Sequence, residues 1–254
     1  ARGKQLPSGT STGININTEH PVLLLMRSVW HLFEEIIVKF YENQQVMEKL
    51  CRVYKHSVRN AKNNFFPLLE KLLEQMVDVF SKCPISSFLY TCSICVGEFG
   101  SPSIPYNTFE VRLRVFQTYR ALNECMCRHL TSIESFANNP CLVEDYFNLS
   151  NRVCKRSNEF FLHTDNKDVV SICLKLGCVG LRLDHPDAWP TVSCFFHTFL
   201  TSFDNFNGSK IAQNVGKERQ MYFIEVVRLH CKAIIDSLLY CTAGGLNPRF
   251  IDDD

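Results

Sequence analysis

The sequence is short of turn-making residues: 254 residues contain only 11 Gly and 10 Pro, against 20 Phe. Strands joined by tight hairpins use Gly, Asn or Pro at nearly every turn, so an all-β sandwich is disfavoured and long helices with few connections are expected. Net charge is lacking too, with 27 Lys+Arg against 26 Asp+Glu, which excludes a uniformly basic nucleic-acid coat and the charge excess of a disordered chain. Any charge signal must be local. No apolar run approaches the ~18 residues needed to cross a bilayer; residues 21–26 and 194–200 are short or broken by polar groups. The polar, Gly/Ser/Thr-rich opening at residues 1–17 has no signal-peptide pattern. A soluble protein with no membrane insertion is expected.

Cysteine is plentiful, at 13, but the number is odd and the chain is long, which disfavours a secreted disulfide scaffold. Reduced thiols used as small buried apolar groups, in the cytosol or nucleus, are expected instead. Cys92 and Cys95 form a lone C-x-x-C and Cys125 and Cys127 a C-x-C, with no second pair or His couple to complete a zinc site. The eight His fall singly, and none stands at helical spacing from a Cys or Asp as a base would from its nucleophile. No glycine-rich phosphate loop is present, and Gly244-Gly245 reads as a helix stop. No catalytic residue, metal site or cofactor is assigned.

Residues 1–20 read as a linker, and a chain that opens this way without an initiating Met reads as a piece of something longer. From Pro21 the apolar period becomes helical, with Val22, Leu25, Met26, Val29, Trp30, Phe33, Ile36, Ile37 and Phe40 at three- and four-residue steps. Asn43 is the expected stop of this helix and cap of the next, which runs over residues 44–62. Further helices are expected over 66–80, 87–99, 109–133, 142–156, 168–176, 188–203 and 220–239. Pro21, Pro84, Pro140 and Pro186 stand at or near first turns, where a missing N–H costs nothing. First helices of successive pairs begin near residues 21, 65 and 108, a spacing of ~40 to 47 residues that matches HEAT or armadillo units. The expected fold is an all-α HEAT-repeat solenoid of four to five helical hairpins over residues 21–254. Its two terminal pairs would leave apolar surface open without further repeats. A compact helical bundle is the competing architecture, given the irregular spacing after residue 150.

The segment richest in chemistry is the second helix. Lys49, Arg52, Lys55, Arg59 and Lys62 follow one another at three, three, four and three residues with no acidic residue among them. At ~100° per residue the last four fall within an arc of ~80°, with Lys49 ~60° to one side, so they form one positive stripe. The opposite side carries Val46, Met47, Leu50, Val53, Tyr54, Ser57, Val58 and Ala61. Like charges at these spacings each oppose the helix by ~0.2–0.5 kcal/mol, which favours an anionic partner, although a solvated face or carboxylates from another repeat would also account for them. Nucleic-acid phosphate, an acidic peptide and a phosphorylated peptide are all candidates. Peptide is preferred over duplex because the face offers little beyond Lys and Arg to read base edges. Arg112, Arg114, Arg120 and Arg128 scatter around their own helix, and Arg152, Lys155 and Arg156 gather near a helix C-terminus, where cations complement the carbonyl dipole; an enlargement of the basic surface is the alternative reading of these clusters.

The run Met47-Glu48-Lys49-Leu50-Cys51-Arg52-Val53-Tyr54-Lys55-His56-Ser57-Val58-Arg59 resembles the arginine-rich helix of the transportin-SR receptors, importin-β superfamily carriers of serine/arginine-rich splicing factors. Phe88-Leu89-Tyr90 with Glu98-Phe99-Gly100, the stretch from Asn139-Pro140 through Asp145 to Arg156-Ser157, and Leu183-Asp184-His185 with Asp187-Ala188 resemble the same receptors' C-terminal repeats in the same order. This resemblance implies a HEAT superhelix whose second helices hold cargo, with Lys49, Arg52, Lys55, Arg59 and Lys62 receiving the phosphorylated Arg-Ser domain of an SR splicing factor. It further implies a non-enzymatic nuclear import function, shuttling between cytoplasm and nucleus, with Ran GTPase and nucleoporins as partners through the intact receptor. Lys stands here at several positions where the family favours Arg, and Lys is a point charge without the bidentate fork. The rival readings are a HEAT scaffold and an RNA-binding solenoid, neither with a transport role.

Overall fold

The computed structural model describes residues 19–202 and 213–246, without side chains for 213–216; the expected linker is described only at its last two residues, and Phe203 lies outside the described residues. Helix follows helix. α1 (Pro21–Phe40) starts with Pro21 in its first turn and the His20 ring accepting the Val22 N–H, and buries Leu23, Met26, Trp30 and Ile37. α2 (Gln44–Ala61) is capped by Asn43, whose Oδ1 accepts the Val46 N–H at 3.1 Å. After a 3-10 turn at Lys62–Phe65 come α3 (Phe66–Lys82) and α4 (Ser86–Phe99). Thr108 caps α5 (Phe109–His129), and a Ser132/Ser135 capping box starts the short α6 (Ile133–Ala137). α7 (Pro140–Arg156), α8 (Asn158–Phe161), α9 (Lys167–Gly180), α10 (Ala188–Thr201) and α11 (Gln213–Tyr240) complete the series. Gly244, at φ 86°, closes the π-helical turn after α11, the helix stop expected there.

The helices stack in two layers. α1, α3, α5, α9 and α11 pack in succession as one layer, and α2, α4, α7 and α10 as the other. Each helix meets its neighbours along the stack, which is the pattern of an α-solenoid of four hairpins and a further first helix, and not of a closed bundle. One apolar core runs from Leu23 to Leu246 between the layers. Each large side chain withdrawn into it contributes ~1.5–3 kcal/mol against exposure. The irregular spacing after residue 150 has a simple origin: α6 is inserted between α5 and α7, and α8 with a 3-10 turn at Thr164–Asn166 between α7 and α9.

Several details differ from the sequence reading. Pro84 and Pro186 precede their helices by two residues, whereas Pro21 and Pro140 occupy first helical positions. The helix expected to reach residue 133 stops at His129, and α11 starts seven residues earlier than its apolar period. Cys127, Cys141, Cys194 and Cys231 are exposed, so the expectation of buried thiols fails for them; Cys51, Cys92, Cys95 and Cys173 are among those it fits. α5 and α7 meet through long side chains: Tyr119 donates to Ser150 Oγ at 3.0 Å, and Tyr146 donates to Asn123, which itself donates to the Val169 carbonyl of α9 at 3.1 Å. This seam is fully buried and its polar atoms are paired, which fixes the rotation of α7 and hence the direction of its outer residues.

Candidate functional site

The outer side of the α2–α4–α7 layer carries the cations that the sequence singles out. α2 is anchored by Tyr54, which is 0% exposed, donates to Gln75 at 2.6 Å and packs on Trp30 at 5.6 Å between ring centroids. Met47, Leu50, Cys51, Ser57, Val58 and Ala61 are buried with it, but Val53 is 41% exposed, because it sits at the edge of the apolar arc next to Arg52. Lys49, Arg52 and Arg59 are exposed, while Lys55 is half-buried because its ammonium lies over the Tyr90 ring of α4 at 5.5 Å. Lys62 departs from the expected stripe. α2 ends at Ala61, and Lys62 caps it with φ 48°, so its side chain no longer follows the helical period.

α4 is the floor of the site. It is buried along most of its length between α2 and α7, with Tyr90 and Glu98 partly exposed and Gly97 offering no side chain beside Arg152. The missing side chain lets an arginine cross it. Arg152 of α7 extends over Gly97, where a Cβ would stand 3.4 Å from Nη1, and Nη1 donates to the Ser93 carbonyl at 3.0 Å. Burial first, then the charges of Arg59 and Arg156, push the Arg152 guanidinium below the usual arginine range, with Tyr90 and Glu98 acting the other way. Residues from the first and third hairpins are thus brought together across the second. Sequence reasoning placed Arg152, Lys155 and Arg156 at a helix end for dipole reasons, and nothing in the period of either helix could have paired them with α2. The neighbour relation α2–α4–α7 is what was missing.

The other end of the face is mixed in sign. Glu48, Cys51, Arg52, Lys55, Ser86, Ser87, Tyr90 and Asp145 line a cavity of about 280 Å³. Arg52 pairs with Glu48 at 2.5 Å within α2, both side chains exposed. Burial, reinforced by Glu144, raises the Asp145 carboxyl to about 6, with a hydrogen bond from Ser86 opposing the shift. Near neutral pH Asp145 is therefore mainly a carboxylate beside the Arg52 and Lys55 end of the stripe.

The first-helix layer treats charge differently. Lys71 pairs with Glu34 at 2.8 Å, Arg114 with Glu70, Arg120 with Asp168 at 2.5 Å and Lys167 with Glu225 at 2.9 Å, so each junction from α1 to α11 in that layer has an ion pair across it. Arg112, set against Glu159 of α8 at 2.6 Å, is paired as well. Three of the four scattered α5 arginines are accounted for in this way, and Arg128 donates to the Cys125 sulfur within its helix. In the second-helix layer, among the described residues, Arg52 alone of the cations on α2 and α7 is in an ion pair.

Burial pushes the Cys51 thiol up to about 11 and the Cys92 thiol to about 12, which disfavours the thiolate. The structure does bring Ser171 of α9 to His230 of α11 at 2.8 Å, a pair the sequence spacing did not reveal. Burial and Lys175 lower the His230 pKa, so the ring is neutral at physiological pH and fits a hydrogen bond between the helices. No described helix is long and apolar enough to cross a membrane.

The family model described as the fourth TPR domain of transportin-3/importin-13 matches residues 20–119, from α1 into α5. Importin-13 of Homo sapiens is 25% identical over 191 residues, covering 71% of this chain and 18% of that protein, and importin-13 of Gallus gallus gives the same figures. Transportin MOS14 of Arabidopsis thaliana is 23% identical over 235 residues, covering 92% of this chain and 22% of that protein. The chain spans about a fifth of the length of the curated relatives it matches. Similarity to importins and a plant transportin, over helices that stack here as a solenoid, supports the karyopherin family.

Proposed function

We propose that this chain is a cargo-binding portion of a nuclear import receptor, and that the second-helix layer receives the phosphorylated Arg-Ser domain of an SR-type splicing factor. The chain acts by binding and not by catalysis. In the intact receptor, shuttling between cytoplasm and nucleus, Ran GTPase and nucleoporins are the further partners. The observation that carries the reading is the row Lys49, Arg52, Lys55 and Arg59, held outward by an α2 whose opposite face is locked into the core, with Arg52 alone in an ion pair among them. A disordered, phosphate-bearing peptide docking on so rigid a wall bears most of the ordering cost itself. Charge-assisted hydrogen bonds contribute ~1.5–3 kcal/mol each when well formed and exposed pairs under ~1, so a few contacts separate phosphorylated from unphosphorylated cargo by a few kcal/mol.

Fluorescence anisotropy with phosphorylated and unphosphorylated Arg-Ser peptides tests the reading. The wild-type chain is expected to prefer the phosphorylated peptide, with affinity falling steeply as salt rises, and an Arg52→Glu, Arg59→Glu variant to lose the difference. Equal behaviour of variant and wild type would remove the stripe from the mechanism. One observation favours RNA as the second reading: Tyr90, 39% exposed beside Lys55, offers a ring on which a base can stack. Single-stranded RNA that displaces the phosphopeptide from the stripe would favour it.

A further inference from the structure

We propose that Arg59, Arg152 and Arg156 form a phosphate clamp that bridges α2 and α7 over the Gly97 gap in α4, and that this clamp is what distinguishes a phosphorylated side chain from a carboxylate. The proposal rests on the phosphopeptide reading above and assigns its selectivity to the Arg59 end of the α2 stripe together with two arginines of α7.

Three features carry it. Arg152 is already in place: the Ser93 carbonyl holds Nη1 at 3.0 Å and Gly97 leaves room for the side chain, so little freedom is lost when its remaining N–H donors meet a ligand. Arg156 lies one helical turn further along α7, on the same side of that helix, and Arg59 lies one turn beyond the Lys55 that meets Tyr90 of α4, so cations of two separate hairpins act on the Arg152 guanidinium at the gap. Glu98 is the carboxylate whose charge is felt there; among the described residues none of the three arginines is in an ion pair with it or with any other acid. Arginine stays charged at any physiological pH, so the crowding is a standing cost that a bound anion relieves.

The geometry also selects the anion. A carboxylate presents two coplanar oxygens and is satisfied by one guanidinium fork, whereas a phosphomonoester presents three terminal oxygens and a charge of about −1.5 to −2. Three guanidiniums shared by one anion suit the second. The Arg52 and Lys55 end lacks this selectivity, because Glu48 and Asp145 stand beside its cations and repel a dianion more than a monoanion.

The test uses the whole 254-residue chain and a fluorescently labelled Arg-Ser repeat peptide in two forms, one with phosphoserine and one with Glu at every Ser. Wild type is expected to bind the phosphoserine form about tenfold more tightly, the equivalent of one good charged contact. Arg152→Gln with Arg156→Gln is expected to bring the two peptides to similar affinity while changing the Glu peptide by less than about threefold. Arg152→Lys, which keeps the charge and loses the fork, is expected to lose most of the preference as well. Matching far-UV circular dichroism and melting curves establish that each variant is folded. An undiminished phosphoserine preference in the double variant overturns the clamp. An Arg52→Gln, Lys55→Gln variant reports on the underlying reading separately, because it is expected to weaken both peptides alike. If it weakens neither, the stripe reading fails, whatever the clamp does. Single-stranded RNA that binds more tightly than the phosphopeptide, and loses that affinity in the double variant, would reassign the clamp to nucleic-acid phosphate and overturn the proposal.

Discussion

The two layers of this solenoid use charge in opposite ways. Along α1, α3, α5, α9 and α11, cation and carboxylate are matched across each junction, as in Lys71–Glu34, Arg114–Glu70, Arg120–Asp168 and Lys167–Glu225. Along α2, α4 and α7 the single ion pair among the described residues, Arg52–Glu48, lies within one helix, and the charges of Arg59 and Arg156 act on Arg152 with none of the three in an ion pair. Both layers draw on the same nearly balanced pool of 27 basic and 26 acidic residues. Balanced composition is therefore compatible with a locally unbalanced face. A matched layer contributes to the fold, and an unmatched one costs it stability.

The largest effect is expected on the matched side. Arg112 donates to Glu159 at 2.6 and 3.4 Å and to the Asn107 carbonyl at 2.6 Å, with the two side chains 13% and 21% exposed. Arg112→Ala leaves a half-buried carboxylate and a carbonyl without their donor. The loss lies between the values for exposed and buried pairs, about 2 kcal/mol, read as a lower urea midpoint with an unchanged slope. Peptide affinity of the folded variant is expected to stay at the wild-type value. A change under ~0.5 kcal/mol would mean that the matched layer contributes no more than exposed surface pairs do.

An intermediate effect is expected where the unmatched layer contains its own acid. Asp145 has a folded pKa of about 6 against the usual 3.8. Between these values the folded state binds more protons than the unfolded one, so stability falls as pH rises from about 4 to 6, and the cost is full above that. Asp145→Asn is expected to add about 1 kcal/mol at pH 7.5 after allowance for solvent screening, with the gain absent below pH 4. The same change makes the Arg52 and Lys55 end more basic and is expected to tighten the Glu-substituted peptide. Urea titrations at the two pH values check the sign. A gain that persists at low pH would trace to packing and not to charge.

Much of this arrangement was legible in the chain. The helical period of α1, the Asn43 cap and the exposed cations of α2 are local properties, set by residues a turn apart, and they appear in the structure; the α1 stripe itself is corrected at Leu25 and Phe40, which are exposed, and at Leu23, which is buried in their place. The end of the α2 stripe was not legible, because Lys62 continues the spacing but follows the last helical residue, and a cap conformation leaves no trace in a periodicity. Val53 was placed inside for a similar reason, since a residue at the boundary of an apolar arc is assigned by its neighbours' bulk. Arg152 is the instructive miss. Its position over Gly97 depends on α7 stacking beside α4, a relation between residues 55 apart that no local period records. The spacing after residue 150 hid that relation by inserting α6 and α8 into the hairpin rhythm.

The smallest expected effect is the one that separates the layers most sharply, because its sign is reversed. Arg59 stands four residues from Lys55, and its charge acts on Arg152 across α4. Arg59→Gln keeps a long, helix-compatible side chain and removes the repulsion, each like-charge pair at that spacing opposing the helix by ~0.2–0.5 kcal/mol. Stability is therefore expected to rise by up to about 0.5 kcal/mol, best resolved as a higher melting temperature at low salt that converges on wild type at high salt, where the repulsion is screened in both. Phosphopeptide affinity is expected to fall in the same variant. A structural role for Arg59 predicts the reverse on the first measurement, a drop in melting temperature comparable to that of Arg112→Ala and indifferent to salt. Stability and binding moving in opposite directions at one residue is the behaviour of a charge held for a ligand and not for the fold.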